Sequence, residues 1–169
     1  MTDESAVVII SDANVLIDYY RADKRILPLI SKHIGTIIVP RPVFEEVKQI
    51  NEMEVEDLGL IIIEPDFSQL KEASIRGGPL SMTDKLTFIM ARDNGFICWT
   101  SDAHLRKRCC EGGVQVFWGL EIMLPLCEGG HLSEKAALRV GRRIHEENKL
   151  YITEEILERF EKKVRAIFE

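Results

Sequence analysis

The sequence predicts an α/β fold, in which a central parallel sheet of about five strands lies between two helical layers and a C-terminal α-helical hairpin follows. Three observations carry this expectation. Five short apolar runs, most of them β-branched, recur through residues 6–118, with helical patterns between them. Strands that alternate with helices build a parallel sheet covered on both faces. Two of the runs, AVVII (6–10) and LIII (60–63), are apolar without alternation, as strands buried on both sides are. Residues 131–169 hold no run of that kind and read as two amphipathic helices.

The first strand, 6–10, leads into helical patterns over 13–20 and 25–34, either one bent helix or two. TIIV (36–39) is the second strand, followed by helices over 42–50 and about 52–58. The third strand, LIII, precedes helices over 66–75 and 81–94. FICW (96–99) precedes a helix over 102–111, and VQVFW (114–118) one over 119–128. Gly95, Gly112-Gly113 and Gly129-Gly130 each follow a helical pattern, as C-terminal stops do. The last two helices open on cap signals, Ser133 and Thr153, with acids in the first turn. Residues 1–130 therefore read as the α/β body and 131–169 as a helical extension packed on it.

At 169 residues with 46% hydrophobic and 30% charged residues, the chain has globular composition, which excludes disordered, collagenous and coiled-coil classes. No apolar run approaches the roughly 18 residues of a membrane helix. The start, MTDESAVVIISD, has acids where a signal peptide needs bases. Cys98, Cys109, Cys110 and Cys127 have neither zinc nor disulfide-framework spacing, and so read as reduced thiols of a cytoplasmic protein. The net charge is −6, unevenly placed. Residues 1–130 carry 13 Lys/Arg against 20 Asp/Glu, and 131–169 carry 9 against 8.

Part of that acidity is arranged. Asp12 ends the first strand and Asp102 the fourth, while Asp84 lies in the first turn of the helix feeding the fourth. Ligands of an open parallel sheet bind beyond the carboxyl ends of its strands, where the strand order reverses. If the first and fourth strands are neighbours, the carboxylates converge. Two carboxylates about 4 Å apart repel by roughly 4 kcal/mol at an effective dielectric of 20, so the cluster must raise a pKa or hold a cation. Hard oxygen ligands without His or Cys suit Mg²⁺ or Mn²⁺. Glu46, on the helix after the second strand, could add a further oxygen. The alternative for each Asp is a helix cap, and Ser81 with Asp84 is a capping-box pattern.

These segments resemble the PIN domain, especially the VapC-type ribonucleases of toxin–antitoxin pairs. IISDANVLID resembles the family's opening motif, placing its Asp at Asp12 and its Asn at Asn14. IIVPRPVFEEV resembles the second, favouring Glu46 over Glu45. LSMTDKLTFIMARDNGFICWTSDAHLRKRC resembles the third and fourth together, carrying over Asp84, Thr100 and Asp102. A further acid that some members carry later has no counterpart, since Glu111 falls most of a helix beyond. The resemblance covers about residues 5–125. It implies a Rossmann-like three-layer fold and a metal-dependent endoribonuclease in which Asp12, Glu46, Asp84 and Asp102 hold Mg²⁺ or Mn²⁺. Asn14 and Thr100 would orient the carboxylates or water. It also implies an RNA substrate, a small antitoxin partner and a homodimer, with no membrane association.

Lys85, beside Asp84, and Arg106, one helical turn past Asp102, are candidate phosphate contacts. Arg139, Arg142 and Arg143 form a second basic cluster in the extension. The rival readings are a catalytically silent PIN-like module binding RNA or protein, and a structural α/β module whose aspartates only cap helices. A phosphatase of the haloacid dehalogenase type needs an Asp where Asn14 stands.

Overall fold

The computed structural model describes residues 6–75 and 77–169, so the acidic segment 1–5 used to argue against a signal peptide lies outside them. The strands are β1 (Val8–Ser11), β2 (Thr36–Pro40), β3 (Leu60–Ile63), β4 (Ile97–Thr100) and β5 (Val116–Trp118). They pair in parallel throughout, in the order β3-β2-β1-β4-β5. The expected sheet is thus present, and its order reverses between β1 and β4.

Strand alternation divides the interior in two. Ile9, Ile37, Val39 and Trp99 face one helical layer, and Ile10, Ile38 and Cys98 face the other. The first layer holds α1 (Ala13–Asp23), α2 (Ile26–His33) and α7 (Met123–Glu128), together with the extension helices α8 (Glu134–Glu147) and α9 (Glu154–Ile167). The second is built from α4 (Phe67–Ala73), α5 (Met82–Asn94) and α6 (Ala103–Glu111). Ala137, Val140, Ile144, Phe160 and Val164 of the extension join Val15, Leu16 and Tyr19 of α1 in one continuous core. At its centre the buried Trp99 and Tyr19 rings meet at 5.0 Å between centroids. Both donate to the Gly119 carbonyl, Tyr19 Oη at 2.9 Å and Trp99 Nε1 at 3.1 Å, so neither polar tip is buried unpaired. Among the described residues no helix is long and apolar enough to cross a membrane.

Three expected helices differ. The stretch 42–50 forms only α3 (Arg41–Phe44), after which the chain tightens. Glu46 N–H donates to the Val43 carbonyl at 3.0 Å and Val47 N–H to that of Phe44 at 2.9 Å, three-residue rather than four-residue spacings. Val43, Val47 and Ile50 are buried all the same, so successive turns reproduce the burial period of a helix. Glu46 therefore stands on a turn, not on a helix. The stretch 52–58 holds a 3₁₀ turn at Glu52–Glu54 inside a capping box from Asn51. The stretch 119–128 divides into a 3₁₀ turn, Gly119–Ile122, and α7. The pattern over 13–34 resolves into two helices.

Candidate active site

The pairing of β1 with β4 sets Ser11 beside Trp99, and the next residues bring Asp12 and Asp102 to one edge. Asp12 is the N-cap of α1, and its Oδ1 accepts from Val15 N–H at 3.0 Å. Its Oδ2 accepts from the Thr100 hydroxyl, while Thr100 Oγ1 accepts from Asp102 N–H at 3.0 Å. Thr100 thus links the two acids and is itself fully buried. Asp102 caps α6, its Oδ1 accepting from His104 N–H at 2.8 Å and Leu105 N–H at 3.1 Å. Capping is therefore real for Asp12 and Asp102. Asp84 differs: Ser81 is the cap of α5 and Asp84 supplies the N–H, at 3.2 Å.

The electrostatics go beyond capping. Asp12 is 2% exposed. Burial pushes its carboxyl up to about 7; the Thr100 and Val15 bonds oppose this, and Asp84 and Asp102 reinforce it. Burial also raises Asp84, opposed by Ser81 and reinforced by repulsion from Asp102 and Glu46. Repulsion thus links Asp12 with Asp84 and Asp102, and Asp84 with Asp102 and Glu46. Among the described residues none of the four forms an ion pair with a Lys or Arg side chain. Their like charges lack internal compensation, and their donor atoms are hard oxygens throughout. That chemistry fits a divalent cation. Among the described residues no group of three or more His, Cys, Asp or Glu side chains is drawn together tightly enough to hold an ion as it stands.

No family model, curated protein or solved structure matches this chain.

The remaining candidates are placed variously. Asn14 is exposed on the first turn of α1. Lys85 is half-buried, and its Nζ donates to the Ile75 carbonyl at 2.7 Å, tying down the loop before α5. Arg106 lies over the Trp118 ring at 4.7 Å, at the end of β5 beside Thr100. Arg142 is paired with Glu161 at 2.6 Å and Arg139 with Asp23 at 3.8 Å. The extension's basic cluster thus serves largely to hold helices together, on the layer away from α5 and α6. Thr83 escaped the sequence reading. Its hydroxyl donates to Glu46 Oε1 at 2.9 Å, anchoring the turn to the start of α5. The only signal for it was its place beside Asp84.

Proposed function

We propose that the chain is a metal-dependent endoribonuclease of the PIN class that hydrolyses RNA phosphodiester bonds. One observation carries the reading: a buried, uncompensated Asp12 shares the switch-point edge of the sheet with Asp84, Asp102 and Glu46. Asp12, Asp84, Asp102 and Glu46 would hold one or two Mg²⁺ or Mn²⁺ ions. Such ions, when bound, lower the pKa of water and offset charge on the phosphate and leaving oxygen. Thr100 fixes Asp12 and the Asp102 backbone in one geometry. The caps on Val15, His104 and Leu105 lock the two carboxylate rotamers. No side chain need act as a nucleophile.

The toxin role, a small antitoxin partner and a homodimer rest on the resemblance in the four motifs. The unpaired cysteines, three buried and Cys110 exposed, accord with a cytoplasmic setting. The loose spacing of the acids favours a second reading, a PIN-like module that binds RNA or protein without cleaving it.

Incubation with RNA and Mg²⁺ or Mn²⁺, beside Asp12→Asn and Asp102→Asn, separates the two. The nuclease reading expects metal-dependent cleavage that both variants abolish. Cleavage undiminished in both refutes the site; RNA binding without cleavage supports the silent module.

A further inference from the structure

Next to the carboxylates, a groove of about 540 Å³ runs between α5 and α6 under the loop that precedes α5. Each helix contributes one stripe at three- and four-residue spacing: Lys85, Phe88 and Ile89 from α5, and His104, Lys107 and Arg108 from α6. None of the four acids lines the groove, but its lining starts one residue past Asp84 at Lys85 and two past Asp102 at His104, whose N–H donates to Asp102 Oδ1. Its charge is opposite to theirs. Among the described residues lining the groove, the acids are Glu111 and Glu72, and both Glu72 oxygens are held by Arg92 at 2.7 and 2.8 Å. The Arg108 guanidinium carbon stands 4.2 Å from the centroid of the Phe88 ring, a cation–π contact on the groove wall. Gly112 leaves room for that ring, since a Cβ there would stand 2.5 Å from Phe88 Cε1.

We propose that this groove binds one nucleotide unit of a single-stranded RNA, next to the phosphate held at the carboxylates. The inference rests on the ribonuclease reading above. The base lies against the Arg108 plane and the apolar wall, and the phosphate against Lys107. Single-stranded RNA is recognised through unstacked bases laid on aromatic or guanidinium planes, with cations along its backbone. The volume falls within the roughly 300–1,000 Å³ that enclose ligands of this size. An acidic centre cannot attract RNA alone, and this adjoining basic groove supplies the attraction its chemistry needs.

The test is fluorescence polarisation of a short labelled single-stranded RNA, with EDTA present to prevent turnover. Lys107 and Arg108 are exposed, so their substitution spares the core. Lys107→Ala and Arg108→Ala are each expected to weaken binding about tenfold. Each also lowers the slope of log affinity against log salt by about 0.7. Arg139→Ala, on the opposite layer, leaves both unchanged. Photo-crosslinking from 4-thiouridine in the RNA is expected to label residues 103–111. If the parent cleaves RNA but the Lys107→Ala/Arg108→Ala double variant binds it with full affinity, the groove assignment is overturned and the ribonuclease reading stands. If the parent neither binds nor cleaves RNA, the ribonuclease reading falls and this inference with it.

Discussion

Replacing Asp12 with asparagine should make the metal-free protein more stable at neutral pH. The amide is nearly isosteric. Its carbonyl oxygen still accepts from Val15 N–H, and its NH₂ can donate to Thr100 Oγ1, whose hydroxyl now donates to Asp12. What disappears is a carboxylate ionised at 2% exposure. Its pKa stands at about 7 in the folded protein against an ordinary 3.8. The native state therefore binds this proton more tightly than the unfolded chain does. The associated stability is fully present below pH 3.8 and lost as pH rises to about 7. At roughly 1.4 kcal/mol per pH unit, the loss is about 4 kcal/mol. Urea denaturation of parent and variant in EDTA, from pH 4 to pH 8, reads the difference directly. It should be near zero at pH 4 and reach about 4 kcal/mol in the variant's favour by pH 7. Mg²⁺ or Mn²⁺ should then stabilise the parent alone, by about 2.7 kcal/mol at one hundred times its dissociation constant. A difference that does not change with pH, or a variant no more stable than the parent at pH 8, would refute the reasoning.

Three further outcomes follow from the same geometry. Thr100→Val strips the hydroxyl from Asp12 Oδ2 and the acceptor from Asp102 N–H, and should weaken Mn²⁺ binding about 10–100-fold by calorimetry. Asn148 Nδ2 donates to both oxygens of the buried Asp18, at 3.2 and 3.1 Å, where burial pushes the carboxyl up to about 6. Asn148→Ala should cost about 1–3 kcal/mol at pH 8. It should cost less at pH 4.5, where the folded protein holds Asp18 protonated; an equal loss at both would sink the assignment. A Cβ on Gly119 would collide with Ser101 Oγ, so Gly119→Ala should cost about 1–3 kcal/mol in chemical denaturation. Adding Ser101→Ala should return most of that loss, and simple additivity would show that the collision is not the cause.

The sheet was legible because its central strands β1, β2 and β4 are largely buried on both faces and read as apolar runs; the edge strand β3 reads the same way although Ile61 is exposed, because the run records composition and not burial. Asp12 and Asp102 were legible from chain direction alone, since parallel strands put their carboxyl ends together. The setting of Glu46 was not. Tight turns from Val43 to Ile50 bury the same residues a helix would, so periodicity could not tell them apart. Arg106 was judged by its spacing from Asp102 on its own helix, whereas its partner, Trp118, is fixed by the register of β5 on β4. Arg142 looked free because Glu161 lies on the other helix of the hairpin. In each case the deciding contact joins distant segments, which local pattern does not record.

The packing of α8 and α9 on α1 has a consequence for synthesis. Asp12 caps α1, and one side of α1 is covered by side chains as late as Val164. On the ribosome, at about 5–20 residues per second, the apolar face of α1 waits roughly 8–30 s for that cover. Until then the helix that Asp12 begins has no complete core beneath it. The helix that Asp12 begins thus owes one wall of its core to residues made more than a hundred positions later, so its final packing is a late event in the making of the chain.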